Sequence, residues 1–426
     1  MRKNILHHGS KELSYEIRKI VEIAKIVENF GQKIIWENIG DPVAKGEKIP
    51  EWMKKIVQKS CENDVIYGYC PTKGLEETRK FLAKNNPKLN PENIIFFNGL
   101  GDAISKIYKN LAFDARIIGP NPAYSTHSSA EAAHAGSKHI TYKLDPKNKW
   151  NPDLKELENK VKFNPNIVGI LVVNPDNPTG AVFKKDVLEK IIKIAKKYEL
   201  YVIFDEIYEK LIFDDKNKTL LSEIILDVPG ISMKGMSKDL PWPGSRCGWI
   251  EVYNKEKDKN FSDYIDSVLN SKMLEVCSTT LPQKVLPKLY LSPEFEKYRK
   301  IRIEKYKQRA DLAEKIFSDC EKIEIVKPKG AFYLSITFNM EKFSGNEKIS
   351  LENKELQNFI DETIKNSDGR FDKKFCYYML AKTGICSVPL SGFNSHFEGF
   401  RITLLEENLE KYEKILNTIK NFIKKF

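Results

Sequence analysis

The chain has 426 residues, 41% hydrophobic and 30% charged, a composition typical of a folded globular protein rather than a disordered or fibrous one. Its net charge is +11, but no basic block alternates with aromatic residues as in a nucleic-acid groove, so we expect no nucleic-acid partner. No segment approaches the ~18 consecutive apolar residues of a membrane-spanning helix, and no signal peptide is recognisable, so we expect no membrane partner.

The seven cysteines are scattered, and none forms a C-x-x-C pair, which argues against a zinc ribbon. An odd, scattered set is typical of free thiols in a reducing compartment, so we expect a cytoplasmic protein. His7 and His8 lie on a polar arm without neighbouring carboxylates. We interpret them as surface residues, and we predict no metal site.

In chain order, hydrophobic spacing predicts a helix over 11–30, a short strand in IIWENIGDP and a helix over 50–61. The segment YGYCPTKGLEETRKFLAKNN is predicted to be a loop that enters a helix. A strand over 94–99 stops at Gly99, and GLGDAISKIYKNLA begins a helix. This layout lets free backbone N–H groups and the helix dipole meet an anion, although a plain strand-to-helix turn has the same pattern.

Strands and helices then alternate. The predicted strands are 115–120, 168–175, 200–208 and 231–235, and the predicted helices between them are 128–136 and 186–198. The run VGILVVNP is typical of a strand buried on both faces. This alternation predicts a mostly parallel sheet covered by helices, in which a ligand lies beyond the carboxyl ends of the strands. Polar residues follow those ends at 99–101, 174–180, 205–208 and 237–238.

The C-terminal part predicts a second unit. It contains a long helix over 293–317, strands within 323–338 that bend at Gly330, a helix over 374–383, the strand GFRITLL and a basic terminal helix. We interpret 341–375, with one helix near 351–365, as a surface insertion. The predicted divisions are therefore an N-terminal arm with part of the small domain (1–45), a large domain (46–290) and a C-terminal small α+β domain (291–426).

Residues 235–249, GMSKDLPWPGSRCGW, place Lys238 eight positions before Arg246 among small residues. A buried lysine loses its proton more readily and can then attack a carbonyl. An arginine offers a planar fork of donors that suits phosphate oxygens. Together they predict a lysine-bound aldehyde that carries a phosphate. A Ser-Lys pair alone is more often solvated surface in so lysine-rich a chain, so this interpretation depends on other blocks.

Three further blocks accompany that stretch: VVNPDNPTGAVF at 172–183, DEIYEKLIFD at 205–214 and Gly-Phe-Arg at 399–401. In this order they resemble the class I and II aminotransferases, enzymes of pyridoxal 5′-phosphate (PLP) fold type I, from about residue 15 to the C-terminus. The resemblance implies an α/β fold with a mostly parallel seven-stranded sheet in the large, PLP-binding domain. It also implies transfer of the amino group of an L-amino acid to a 2-oxo acid, with 2-oxoglutarate and glutamate as one couple, by a ping-pong mechanism.

The resemblance also implies roles for individual residues around the cofactor. Lys238 is expected to bond the cofactor covalently and later to move the Cα proton. Asp205 is expected to pair with the ring nitrogen, because a carboxylate there favours the protonated ring. Asn177 and Tyr208 resemble the pair that hydrogen-bonds the phenolic oxygen of the ring. Tyr124, in PNPAYSTH, resembles the aromatic residue that stacks on the ring.

The phosphate is expected to bind the N–H groups of Leu100 and Gly101 together with Arg246. The family often has a serine three residues before the lysine, and this chain has Gly235 there, so the resemblance does not assign that hydroxyl contact, and the adjacent Ser237 does not simply replace it. Tyr69 resembles the tyrosine that reaches the phosphate of a neighbouring subunit. The resemblance therefore implies a homodimer with shared active sites.

Arg401 resembles the arginine that binds the substrate α-carboxylate, and Asn177 and the Gly40 backbone are expected to assist it. The stretches NIGDP, GYCPTKGLEETR and DEIYEKLIFDD are similar to alanine-aminotransferase-like members of the family. No residue marks the pocket for the substrate side chain.

Three alternatives remain from the sequence. A PLP-dependent lyase or decarboxylase on the same fold uses similar binding residues, because the cofactor carries the chemistry. A non-catalytic PLP-binding regulator usually carries a fused DNA-binding module, and the family-like arm begins too early for one. A dinucleotide-binding Rossmann domain is disfavoured because no G-x-G-x-x-G follows the first strand.

Overall fold

A computed structural model of the chain describes residues 5–13 and 16–426. Its helices are α1 Glu16–Asn29, α2 Glu51–Ser60, α3 Glu76–Ala83, α4 Leu100–Lys109, α5 Ser125–Ala135, α6 Leu154–Phe163, α7 Lys185–Lys197, α8 Leu221–Ile224, α9 Lys259–Met273, α10 Thr280–Tyr290, α11 Pro293–Phe317, α12 Lys354–Lys365, α13 Phe371–Thr383 and α14 Leu409–Lys425.

The strands fall into a large sheet, a smaller one and a short pair. They are β1 Ile35–Trp36, β2 Ile94–Asn98, β3 Arg116–Asn121, β4 Thr141–Asp145, β5 Asn151–Pro152, β6 Ile167–Val173, β7 Tyr201–Asp205, β8 Gly230–Gly235, β9 Cys247–Tyr253, β10 Ile323–Ile325, β11 Tyr333–Phe338, β12 Ile385–Cys386, β13 Val388–Pro389 and β14 Gly399–Thr403.

Within the described residues the large sheet has eight strands in the order β2-β9-β8-β7-β6-β3-β4-β5. The strands from β8 to β4 pair in parallel, whereas β9 is antiparallel to both of its neighbours and β5 is antiparallel to β4. The expected mostly parallel α/β architecture is confirmed, but the predicted number of seven strands is wrong. The short β5 pairs with β4 and extends the edge by one strand.

The large sheet is covered on both faces, as the β-branched run in β6 predicts. Ile170 and Val172 face one hydrophobic core, which also contains Leu188 of α7. Leu171 and Val173 face the other core, together with Ile104 of α4. Because successive side chains of a strand point to opposite faces, a strand buried on both sides is apolar throughout.

The carboxyl ends of five strands meet at one edge of this sheet. The ends of β3, β6, β7 and β8 lie together because these strands run in parallel. β2 has the same direction as β8 because each is antiparallel to β9. Polar residues that follow these strands in the sequence therefore converge on one edge.

Two boundaries differ from the sequence prediction for a local reason. The strand predicted over 200–208 ends at Asp205, because the N–H of Ile207 turns back to donate to Asp205 Oδ1 at 3.1 Å. α10 was not predicted, since it contains Pro282 in its first turn and Pro287 further in. Proline disfavours a helix interior, and here the surrounding buried residues keep the helix intact.

The second sheet has the order β10-β11-β14-β13 and packs with α1, α11, α13 and α14 around one core. The segment 341–375 adds to this core through Leu356 and Ile360 of α12, which are buried. No helix of the described ranges combines the length and the hydrophobicity needed to cross a membrane. The domain boundaries near residues 45 and 290 stay predictions.

Candidate active site

A cavity of about 270 Å³ opens at the carboxyl edge of the large sheet. Eight of the residues predicted from the sequence line it: Leu100, Gly101, Tyr124, Asn177, Asp205, Tyr208, Lys238 and Arg246. They come from four separate segments that follow β2, β3, β6 and β7 and from the stretch after β8. The convergence expected from the strand ends is therefore present as one shared cavity.

Lys238 is held at both ends. Its Nζ donates to the carbonyl oxygen of Gly40 at 2.7 Å, and its own carbonyl oxygen accepts from Arg302 Nη1 at 2.7 Å. Burial lowers the pKa of Lys238 to about 8; the charge of Asp41 opposes this shift, those of Arg401 and Arg246 add to it, and Asp205 opposes it more weakly than Asp41. About a tenth of this amine is therefore uncharged at pH 7, far more than for an ordinary lysine, and the uncharged form is the one that acts as a nucleophile.

Asp205 is the last residue of β7, is buried and lines the cavity. Its Oδ1 accepts from the backbone N–H of Ile207, and its Oδ2 lies 3.1 Å from Nε2 of His127. His127 is itself buried between Tyr124 and Tyr108, whose rings meet it edge-on with centroids 6.2 Å away. These contacts fix the orientation of the carboxylate.

Asn177 is positioned by the turn between β6 and α7. The N–H of Asp176 donates to the Ala181 carbonyl at 2.9 Å, and the N–H of Gly180 donates to the Asp176 carbonyl at 2.9 Å. Gly180 has φ +71°, in the left-handed region that glycine adopts without strain. The turn therefore fixes the Asn177 side chain between the cavity and Arg401.

Tyr208 presents its hydroxyl to the same cavity, 3.1 Å from the hydroxyl of Tyr333. Burial raises the pKa of Tyr208 well above its ordinary value. The phenol therefore keeps its proton at neutral pH and is a hydrogen-bond donor.

The part of the cavity that is lined by Leu100, Gly101 and Arg246 suits an anion. α4 begins at Leu100, directly after Gly99, so the first N–H groups of this helix, with no partner inside it, stand at the cavity wall. Arg246 lines the same part, and its Nη2 donates to the Asn98 carbonyl at 3.3 Å. A Cβ on Gly99 would lie 2.3 Å from Arg246 Nη2, so only glycine leaves room for the guanidinium.

Gly235 stands where the family often has serine, and the structure gives the reason. A Cβ at this position would lie 2.9 Å from the carbonyl oxygen of Cys247 on the paired strand β9. Ser237 and Thr126 line the cavity and carry hydroxyls. A larger residue is excluded at 235 by the close approach of β8 and β9.

Arg401 lies just beyond the cavity, 1% exposed, on β14. Its Nη1 donates to Asn177 Oδ1 at 3.2 Å, and its Nη2 donates to the carbonyl of Asn38. The rings of Tyr333 and Phe393 lie 4.4 Å and 5.0 Å from the guanidinium carbon. A buried positive charge beside Lys238 is suited to an anionic group on a substrate.

Of the nine residues predicted to bind the cofactor, Tyr69 is the one that the single chain does not bring to the cavity. Its side chain is 85% exposed. The segment that carries it is tied to α10, because Thr280 Oγ1 donates to the Gly68 carbonyl at 2.9 Å. The backbone around Tyr69 is therefore fixed while its side chain points to solvent.

Four residues of the site were not predicted from the sequence: His127, Tyr333, Arg302 and Asn38. His127 could have been found, because it lies three residues after Tyr124 and so on the same side of the first turn of α5. Tyr333 lies in an apolar strand and has the sequence pattern of core. Arg302 lies in a long charged helix with nothing local to mark it.

The residues of the cavity fit PLP. An amine with a lowered pKa suits its aldehyde, a buried carboxylate suits its ring nitrogen, and Tyr124 offers an aromatic face. The helix N-terminus, the glycine at 99 and Arg246 form a cradle for its phosphate. PLP supplies this cavity with a carbonyl carbon that accepts an amine and a ring that delocalises negative charge.

The sequence model of a family described as aminotransferase class I and II matches residues 33–419. An uncharacterised aminotransferase of Methanocaldococcus jannaschii is 52% identical over 431 residues, 100% of this chain and 99% of that protein. Glutamate-pyruvate aminotransferase AlaA of Escherichia coli is 28% identical over 350 residues, 78% of this chain and 82% of that enzyme. The structure of an alanine aminotransferase from Pyrococcus furiosus matches with a TM-score of 0.82 and 26% identity, over 100% of both chains.

Proposed function

Because the chain belongs to the PLP-dependent class I and II aminotransferases, we propose that it transfers the amino group of a small L-amino acid to 2-oxoglutarate by a ping-pong mechanism. The observation that carries this proposal is the arrangement of Lys238, Asp205 and Arg401. A nucleophilic amine with a pKa of about 8 shares a cavity with a buried carboxylate, and a buried arginine lies next to it.

Arg401 binds the α-carboxylate in this proposal. Its fork holds the carboxylate. Asn177 accepts a hydrogen bond from Arg401 and so orients the guanidinium, and the Gly40 carbonyl accepts from Lys238 and so orients the amine. The substrate Cα would then be held close to Lys238 Nζ, the group that would take its proton.

Lys238 then moves the proton. Its uncharged Nζ would take the proton from the substrate Cα, and the resulting ammonium would give the proton back, which requires an amine that titrates near the working pH. Asp205 holds a proton on the ring nitrogen, and His127 keeps the Asp205 carboxylate in position. Tyr208 and Asn177 donate to the phenolic oxygen.

The substrate couple is supported by similarity. The E. coli relative bears the name glutamate-pyruvate aminotransferase, and the Pyrococcus structure is that of an alanine aminotransferase. The test is a panel of L-amino acids incubated with 2-oxoglutarate, with glutamate formation as the readout and Lys238→Ala as the control. We expect turnover with alanine. No glutamate from any donor would contradict the proposal.

The ping-pong order has its own test. With an amino donor alone, the enzyme should release one equivalent of 2-oxo acid per site and keep the cofactor in its amine form. In steady state, varying one substrate at several fixed concentrations of the other should give parallel double-reciprocal lines. Intersecting lines would contradict the mechanism.

We also propose a cytoplasmic homodimer in which Tyr69 completes the phosphate site of the partner. Tyr67 and Tyr69 are exposed, and so is Leu274, which is 88% exposed. Leu274 lies in the chain just before Ser278 and Thr280, whose hydrogen bonds with Cys70 and Gly68 hold the two segments together. Large exposed apolar patches mark protein interfaces. The residue that family resemblance assigns to the phosphate thus stands on a surface suited to a second copy.

Mixed dimers test the shared site. Tyr69→Ala and Lys238→Ala are each expected to be nearly inactive, but a heterodimer of the two retains one complete site. Unfolding and refolding equal amounts together should restore about one quarter of wild-type activity. Each variant refolded alone is the control, and no recovery in the mixture would contradict a shared site.

A further inference from the structure

The Tyr333 side chain, 3% exposed on β11, contacts two residues of the candidate site, Tyr208 at the cavity and Arg401 beside it. Its hydroxyl lies 3.1 Å from that of Tyr208, and its ring lies over the guanidinium of Arg401, 4.4 Å from the guanidinium carbon. We propose that Tyr333 is a positioning residue that donates a hydrogen bond to Tyr208 and supports Arg401, so that cofactor and substrate contacts are set by one side chain. This inference rests on the proposed function.

The direction of the hydrogen bond follows from the position of Tyr208. Geometry alone lets either hydroxyl donate. Tyr208 lines the cavity, and its proposed role is to donate its own proton to the phenolic oxygen of the cofactor. Its oxygen is then free to accept, so Tyr333 is the donor. A hydroxyl that accepts a hydrogen bond becomes a stronger donor itself, because the two bonds polarise each other.

Close packing fixes the Tyr333 hydroxyl in place. A Cβ on Gly40 would lie only 2.1 Å from Tyr333 Oη, so the hydroxyl fills the space beside Gly40. The Gly40 carbonyl in turn accepts from Lys238 Nζ. The position of Tyr333 is thus set by Gly40, Tyr208 and Arg401 together, and its hydroxyl has little freedom to turn elsewhere.

The test uses the PLP-loaded enzyme and the pH midpoint of its visible absorbance change. In the PLP-loaded enzyme, the phenolic oxygen of PLP shares a proton with the nitrogen that joins PLP to Lys238. A hydrogen bond from Tyr208 to this oxygen stabilises its anionic form and so favours loss of the shared proton. Tyr333→Phe weakens that donor and should raise the midpoint by about 0.5 pH unit. 3-Fluorotyrosine at position 333 keeps the ring, is a stronger acid and should lower the midpoint.

A double-substitution cycle separates this effect from general disturbance. In a Tyr208→Phe background, Tyr333→Phe should no longer move the midpoint, because the hydrogen bond that it changes is already absent. Tyr412→Phe is the matched control, a buried tyrosine of the same core outside the site, and it should leave the midpoint unchanged. An unchanged midpoint in Tyr333→Phe, or an equal shift in both backgrounds, would overturn the inference.

The contact between Tyr333 and Arg401 is tested by measuring KM for the amino donor. Tyr333→Phe retains the ring and should leave KM for the amino donor within about two-fold, whereas Tyr333→Leu removes the ring and should raise it about ten-fold. Equal KM values in the two variants would overturn this part. A wild-type protein that forms no visible band with PLP would refute the proposed function itself. A normal wild-type band with an unmoved Tyr333→Phe midpoint refutes only the inference.

Discussion

Gly99→Ala tests the phosphate cradle, because the structure predicts both the strain and the contact that it creates. Gly99 has φ 81° and ψ 164°, a conformation almost exclusive to glycine, and forcing alanine into it costs about 1–3 kcal/mol. The added Cβ would lie 2.3 Å from Arg246 Nη2, so the guanidinium must move out of the phosphate end. Loss of a charge-assisted hydrogen bond costs about 1.5–3 kcal/mol, which corresponds to a 10- to 100-fold rise in the Kd for PLP.

The assay is an equilibrium titration of the apoprotein with PLP and, separately, with pyridoxal, which has no phosphate. Gly99→Ala should weaken PLP binding 10- to 100-fold and pyridoxal binding little, by the same estimate. Gly345→Ala is the matched control, since Gly345 has φ +82° and no neighbour within 4 Å of the added Cβ. This control introduces the same kind of backbone strain but displaces no guanidinium, so it shows the effect of strain alone. Wild-type PLP affinity in Gly99→Ala would refute the assignment of Arg246.

Three further predictions concern the chemistry of the site. The rate of PLP attachment should rise about tenfold per pH unit up to about pH 8 and then level, because only the uncharged Lys238 amine reacts and its pKa lies near 8. Stopped-flow absorbance measures this rate. A rise that continues to about pH 10, as for an ordinary lysine, would contradict the prediction. Arg401→Lys should raise KM for every amino acid about 10- to 100-fold, since an ammonium lacks the planar fork of donors that a guanidinium has. Arg309→Lys, the same exchange at a buried arginine outside the cavity, should leave KM unchanged. A selective rise for one amino acid would exclude the carboxylate role. Asp205→Asn should bind PLP but lower kcat more than about 100-fold, because the neutral amide no longer favours the protonated ring; single-turnover kinetics checks this, and near-wild-type turnover would count against it.

The residues at the strand ends could be predicted because the sequence shows both where the buried strands lie and which polar residues stand at their ends. The apolar runs of β6 and β7 identify buried parallel strands. Asn177, in the turn after β6, and Asp205, the last residue of β7, must then share one edge. The family motif added Lys238, Arg246 and their order along the chain.

The residues missed belong to contacts that depend on long-range packing. Tyr333 meets Tyr208 only because two sheets come together, and its own strand has the pattern of ordinary core. Arg302 reaches the Lys238 carbonyl from a helix more than sixty positions away in the sequence. The edge strand β5 has only two residues, too few for any period to be visible.

Borohydride reduction of the PLP-loaded enzyme, followed by peptide mass spectrometry, tests the central claim most directly. Reduction makes the bond between cofactor and lysine permanent, so the labelled residue can be identified in a digest. The label should be on Lys238 alone, in proportion to the visible absorbance lost. A label on any other lysine, or none on Lys238, would contradict the account.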